Sequence, residues 1–244
     1  MPDPVRLGML TPSSNTVLEP YTYAILAGVP NVTAHFGRLR VTEIALSDAS
    51  LGQFDHSTQL AAAELLADAR LGAIAWNGTS GGWIGFDADR ALCLALTDRT
   101  GAPATTSTLA LIDALEAFDA RRFALVTPYL PDIQERIQRN FAAAGFDCVA
   151  ERHLNDRGNF SFSLFGEHVV EGLVREVAAA KPEAIAIYCT NFRGATLADR
   201  LERELGIPIL DSVSVTAWRT MLAAGADPAR VKGWGSLFAR GLAA

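Results

Sequence analysis

Residues 73–79 read AIAWNGT, and residues 184–190 read AIAIYCT. Each stretch is a short apolar run that ends in polar residues, as a buried parallel strand does where it passes into a loop. The same pattern predicts five strands, at residues 5–10, 73–76, 123–126, 184–188 and 207–210. Apolar residues at helical spacing predict helices between them, at residues 57–69, 86–97, 109–118, 130–144 and 165–180. Alternation of strands and helices predicts an α/β fold with a mostly parallel sheet.

The opening pair of stretches is part of a longer internal repeat. LTP at residues 10–12 recurs as VTP at 126–128, an offset of 116, and the opening pair is offset by 111. GAP at 101–103 with Ser107 recurs as GIP at 206–208 with Ser212, an offset of 105. Three collinear repeats predict two similar Rossmann-like (flavodoxin-like) parallel-sheet halves, related by a pseudo-two-fold axis, with the active site in the cleft between them. We assign residues 1–108, joined by the C-terminal segment 216–244, to the first half and residues 109–215 to the second.

Composition limits the kinds of partner. Half of the 244 residues are hydrophobic, 20% are charged, and the formal net charge is −6 with scattered basic residues, which argues against nucleic-acid binding. No apolar run approaches the roughly 18 residues of a membrane span, and the N-terminus lacks a signal-peptide pattern. Three cysteines fit a reducing compartment better than a disulfide framework. We therefore expect a cytoplasmic protein, with a homo-oligomer left open.

Cys189 is the first candidate catalytic residue, because it follows a predicted strand and precedes the polar residues Thr190 and Asn191. Backbone N–H groups of a turn or helix after the strand would favour its thiolate and bind anions. The alternative is a small buried hydrophobic residue, the commoner state of a free cysteine. Cys93 and Cys148 lie in apolar surroundings and are assigned to packing.

The first half has glycine where the second half has Cys189. Gly78 opens the stretch GTSGG at 78–82, whose glycines allow an anion to approach the backbone and whose Thr79 and Ser80 add hydroxyl donors. A plain glycine-rich turn is the alternative. The stretch also matches G-x-S-x-G with Ser80 as a nucleophile, but a serine hydrolase is disfavoured because neither later histidine lies near the chain end.

Two further loops supply candidate donors. TPSSNT at residues 11–16 ends the first strand and contains Asn15, which could bind substrate or cap the following helix. Tyr129 occupies the matching loop of the second half, where its phenol either enters the cleft or packs. These neutral donors and one thiol suit the making or breaking of a C–H or C–C bond beside a carboxylate, through an enolate-like intermediate.

Motifs for metals and for common cofactors are missing from the sequence. The four histidines show no metal-ligand spacing, and neither G-x-G-x-x-G after the first strand nor G-x-x-x-x-G-K-[ST] occurs. We therefore expect no cofactor and no metal.

These motifs resemble the aspartate/glutamate racemase superfamily, whose members have two α/β halves with one active-site cysteine from each and need no cofactor. PSSNT at 12–16 and CTNFR at 189–193 are similar to its maleate cis–trans isomerase branch, which has a cysteine where this chain has Gly78. GTS at 78–80 resembles arylmalonate decarboxylase, as does Tyr129, although that enzyme lacks the SSNT and CTN stretches. The decarboxylase resemblance implies a carboxylate pocket at 78–80 and a proton delivered by Cys189.

Gly78 favours the decarboxylase among these alternatives. Racemisation by two bases needs a group on each face of the carbon, whereas decarboxylation needs one proton after CO2 leaves. We therefore predict a cofactor-independent decarboxylase of a malonic-acid-like dicarboxylate, bound by Gly78, Thr79, Ser80, Tyr129, Thr190, Asn15 and Asn191. A maleate-isomerase-like or racemase-type isomerase is the alternative, followed by a non-catalytic carboxylate binder. A Gly78→Cys substitution is expected to add the second proton-transfer group.

Overall fold

Two four-stranded parallel sheets form the frame of the molecule. The computed structural model describes residues 4–44, 46 and 56–243. The first sheet has the order β2-β1-β3-β4, from β1 (Val5–Pro12), β2 (Val32–Leu39), β3 (Ala73–Trp76) and β4 (Ala104–Thr106). The second has the order β6-β5-β7-β8, from β5 (Arg122–Thr127), β6 (Asp147–His153), β7 (Ala184–Ile187) and β8 (Ile209–Asp211). The identical order, which is that of flavodoxin-like sheets, confirms the predicted pair of similar halves.

Nine α-helices occur in the described part of the chain. They are α1 (Leu18–Leu26), α2 (His56–Ala67), α3 (Gly81–Ile84), α4 (Phe86–Thr100), α5 (Ser107–Ala117), α6 (Pro131–Ala143), α7 (Glu167–Ala178), α8 (Ala198–Leu205) and α9 (Ser212–Ala223). All five predicted helices are confirmed, with ends that differ by up to three residues. None of the helices in this part of the chain is both long enough and apolar enough to cross a membrane.

The central strands could be predicted because they consist of consecutive apolar residues. Every residue of β3 and β7 is buried, so both strands are apolar throughout. The edge strands β2 and β6 are only partly buried and carry polar residues, and β4 has three residues, so the sequence pattern did not reveal them. The predicted strand at 207–210 begins two residues late because Pro208 has no N–H for a sheet ladder.

The two halves pack through equivalent helices. Helix α5 follows β4, α9 follows β8, and the two helices contact each other extensively. Thr216 Oγ1 donates to Ser107 Oγ at 2.8 Å. The C-terminal segment contacts both halves, because the Trp234 ring lies 6.3 Å from the Tyr21 ring and Ser236 N donates to Glu202 Oε2 at 2.7 Å. The division at residues 108/109 and 215/216 stays a prediction.

Candidate active site

A small cavity lies where the carboxyl ends of the two central strands meet. Its volume is about 20 Å³, which is room for one water molecule. The cavity is lined by Pro12, Val41, Ile44, Trp76, Gly78, Thr79, Ser80, Trp83, Tyr129, Asn159, Cys189 and Thr190. Six of the eight residues predicted for the site therefore line one cavity. The other two, Asn15 and Asn191, are buried but are not among its lining residues.

Two hydrogen bonds between the strand-end loops place Gly78 beside Cys189. Thr190 Oγ1 donates to the carbonyl of Asn77 at 3.0 Å. The Tyr188 hydroxyl donates to the carbonyl of Thr79, also at 3.0 Å. Each bond joins a neighbour of Gly78 to a neighbour of Cys189. The two equivalent positions of the repeat consequently face the same cavity from the two halves.

The Cys189 thiol is buried and protonated. Burial raises the pKa of Cys189 to about 12, against the lowering effect of hydrogen bonds from the Tyr129 hydroxyl and the Asn191 backbone N–H. The Asn191 N–H therefore favours the thiolate, as the sequence predicts, but loss of hydration outweighs that effect and the pKa rises. A thiol in this state can give a proton but is seldom a nucleophile.

Tyr129 connects the thiol to the Gly78–Ser80 loop. Its hydroxyl and Thr79 Oγ1 are 2.6 Å apart, and burial raises the pKa of the Tyr129 phenol well above its usual range. Its ring stacks edge-on against Trp83 at 5.4 Å and against Phe162 at 5.5 Å. Tyr129 therefore combines the two roles that the sequence left open, since its ring packs while its hydroxyl lines the cavity.

Asn15 and Asn191 hold the surrounding loops together. Asn15 Oδ1 accepts from the N–H of Val17 and of Leu18, and its Nδ2 donates to Thr190 Oγ1 at 3.1 Å. Asn191 Oδ1 accepts from Thr16 N at 2.9 Å. Both side chains thus bridge the first loop of one half and the strand-end loop of the other.

The remaining candidate residues lie outside the cavity. Cys148 packs against the core, whereas Cys93 is half-buried in an open surface groove between α4 and α5. His153 Nδ1 pairs with Glu151 at 2.8 Å, and no histidine lines the cavity beside Ser80. Among the described residues, Ser80 therefore has no histidine base of the kind that a serine hydrolase uses. Within the described residues, no group of three or more His, Cys, Asp or Glu side chains could hold a metal ion.

Sequence reasoning missed the apolar lining and one amide. Val41 and Ile44 follow the unpredicted strand β2, and Asn159 lies far from the other motifs in sequence. Trp76 was visible as the last residue of a predicted strand, two positions before Gly78. An ideal Cβ at Gly78 would lie 2.3–2.4 Å from atoms of the Trp76 indole, so a Gly78→Cys thiol would require that ring to move.

Two similar α/β halves with a cysteine-containing cavity between them are typical of the α/β enzymes that place their active site between two such halves. The chain belongs to the arylmalonate decarboxylase family, whose model matches residues 24–238. The fold and the resemblance predicted from the sequence are thereby confirmed.

The similar proteins are decarboxylases and isomerases. The maleate isomerase of Nocardia farcinica is 28% identical over 240 residues, which cover 95% of this chain and 94% of that protein. The arylmalonate decarboxylase of Bordetella bronchiseptica is 28% identical over 150 residues, covering 61% and 62%. A solved Nocardia farcinica maleate cis–trans isomerase, a cysteine-to-serine mutant with a covalently bound succinylcysteine intermediate, matches with a TM-score of 0.87. That match has 25% identity and covers 96% of this chain and 98% of the other.

Proposed function

We propose that this protein is a cofactor-independent decarboxylase of a malonate-like dicarboxylate, with Cys189 as the proton donor. The observation that carries the proposal is the composition of the cavity, in which one protonated thiol faces a glycine. One proton donor is sufficient for decarboxylation. Racemisation by two bases needs a second group, which Gly78 cannot supply.

The lining of the cavity combines hydroxyl groups with apolar side chains, which suit the two carboxylates of the substrate in different ways. Hydroxyl groups of Thr79, Ser80 and Tyr129 line the cavity and can donate to a carboxylate that keeps its charge. Val41 and Ile44 add apolar side chains to the lining, and a carboxylate held beside them is poorly solvated, which favours its loss as neutral CO2. Since the cavity holds about one water molecule, substrate binding requires it to widen.

The chemical step uses the held carboxylate as the electron sink. The bond between the central carbon and the departing carboxylate breaks, CO2 leaves, and the electron pair forms an enediolate with the remaining carboxylate. Cys189 then gives its proton to the central carbon, and the resulting thiolate takes a proton from water. Hydrogen bonds from Thr79, Ser80 and Tyr129 stabilise the second negative charge that develops on the enediolate oxygens.

An isomerase of maleate is the second candidate, and one observation favours it. Maleate isomerase relatives match along 88–95% of the chain, whereas the decarboxylase relative matches along 61%. Covalent addition to a double bond, as in the succinylcysteine of the Nocardia farcinica enzyme, requires a nucleophilic thiolate. The raised pKa of Cys189 opposes that step.

A substrate panel in D2O separates the candidates. The purified protein is incubated with 2-phenylmalonate, 2-methylmalonate, maleate and aspartate, and the products are followed by NMR. We expect CO2 release from a malonate with one deuterium on the central carbon, and loss of this activity in Cys189→Ser. Conversion of maleate to fumarate without CO2 release would support the isomerase instead. Binding without turnover of any compound would indicate a carboxylate-binding protein.

A further inference from the structure

Trp76 occupies the place where a side chain at position 78 would lie. The ideal Cβ of Gly78 is 2.3 Å from Cε2 and Cζ2 of the indole and 2.4 Å from its Nε1. Ordinary contacts between such atoms are about 3.5–4.0 Å. The indole therefore fills the space on the Gly78 side of the cavity, and the mechanism above leaves it without a role.

The ring is held firmly at this position. Trp76 is the last residue of β3, paired with Leu10 on β1 and with Thr106 on β4. Its side chain is fully buried, and its Nε1 lies 3.4 Å from Ser80 Oγ, at the long end of hydrogen bonding. A ring enclosed in this way does not swing aside at little cost.

The pseudo-two-fold places the ring across the cavity from the thiol. Positions 78 and 189 are equivalent in the two halves, and the Asn77–Thr190 and Thr79–Tyr188 hydrogen bonds bracket them. A side chain at position 78 would consequently approach the substrate carbon from the side opposite Cys189. Trp76 now occupies that approach.

We propose that Trp76 is the residue that determines the stereochemistry of the reaction, because its indole closes the face of the substrate carbon opposite Cys189. The inference rests on the proposed decarboxylase function. Water and other proton donors are excluded from the closed face, so the enediolate receives its proton only from the Cys189 thiol. One enantiomer of the product results.

The test uses a malonate whose product is chiral. Decarboxylation of 2-methyl-2-phenylmalonate, and of the smaller 2-ethyl-2-methylmalonate, gives a carbon with four different substituents, and chiral chromatography measures the ratio of enantiomers. We expect a ratio above about 20:1 for the parent and below about 3:1 for Trp76→Ala, in which water enters the vacated space. Trp76→Phe, which keeps a ring there, should retain most of the selectivity.

Trp234→Ala is the matched control. Trp234 is partly buried against Tyr21, away from the cavity, so its removal should leave the enantiomer ratio unchanged. If Trp76→Ala unfolds, Trp76→Leu takes its place, with circular dichroism as the check of folding. A folded Trp76→Ala or Trp76→Leu with the parent's ratio overturns this inference but leaves the decarboxylase standing. Absence of CO2 release from every malonate by the parent overturns the proposed function, and this inference with it.

Discussion

The protonation state of Cys189 makes a sharp prediction for the pH dependence of the rate. With a pKa raised by burial to about 12, roughly one thiol in 10⁵ is ionised at pH 7 and one in 10² at pH 10. If the thiol is the proton donor, the active form is fully populated throughout this range. We therefore expect kcat for 2-phenylmalonate to change by no more than about twofold between pH 8 and 10.

The pH range for the kcat measurement begins at pH 8 because of a neighbouring carboxyl group. Burial raises the pKa of Asp211 to about 7, and its charge acts on Cys189, so Asp211 should be ionised before the measurement begins. CO2 release at saturating substrate is the assay, and Cys189→Ser should lower kcat by about 10²- to 10⁴-fold. Cys93→Ser is the control, because burial also raises the pKa of Cys93 to about 12 but it lies outside the cavity.

A thiolate mechanism would behave differently. The rate would then rise about tenfold per pH unit, in proportion to the ionised fraction. A slope of one in log kcat against pH, or full activity in Cys189→Ser, would refute the assignment of the thiol as proton donor.

Three other predictions concern the loop and the buried groups around the site. Thr79→Ala and Ser80→Ala should each lower kcat for CO2 release by about ten- to a thousand-fold, and unchanged rates in both would make the loop a structural turn. Gly78→Ala should lower the free energy of unfolding, measured in urea, by about 1–3 kcal/mol because the new Cβ overlaps the Trp76 indole. Gly172→Ala in α7 is the control: its Cβ meets no atom within 4 Å, so it should raise the free energy of unfolding by about 0.5–1 kcal/mol. Parent-like stability of Gly78→Ala would show that the ring yields easily. The pKa of Asp211 is about 7 in the folded protein and about 4 in the unfolded chain. Its contribution to the free energy of unfolding is therefore fully present below pH 4 and is lost between pH 4 and 7, by about 1.4 kcal/mol per pH unit. In urea titrations at pH 4–7, Asp211→Asn should lack this fall of the free energy of unfolding with pH. Equal slopes in the variant and the parent would contradict a buried, neutral Asp211 carboxyl.

The central strands of both halves could be predicted because burial leaves a direct mark on their sequence. Residues 73–76 and 184–187 are buried on both faces and are apolar without interruption. Strands β2 and β6 lie at sheet edges, where one side meets solvent or a helix, and their mixture of polar and apolar residues has no clear period. The repeat nevertheless predicted two equivalent halves, since its three segments lie at the ends of β1 and β5, across β3 and β7, and on either side of β4 and β8.

The candidate site was predicted where its residues follow strand ends and missed where they come from elsewhere. Gly78, Thr79 and Cys189 follow central strands, so topology alone brings them together. Asn159 and Val41 lie in loops whose path depends on contacts between the halves, such as Asn159 Nδ2 to Ser14 Oγ at 2.8 Å. The raised pKa of the thiol could not be predicted for a related reason, because depth of burial is a property of the assembled fold.

The contact between Trp76 and the Gly78 backbone also constrains how this site can change over generations. A cysteine at position 78 that appears while the indole is in place meets atoms 2.3 Å from its Cβ and enters an overpacked, destabilised protein. The same cysteine after replacement of Trp76 by a smaller residue finds open space. The order of the two substitutions therefore matters. A site with two thiols is reached without a destabilised intermediate only if a smaller residue replaces Trp76 before cysteine replaces Gly78.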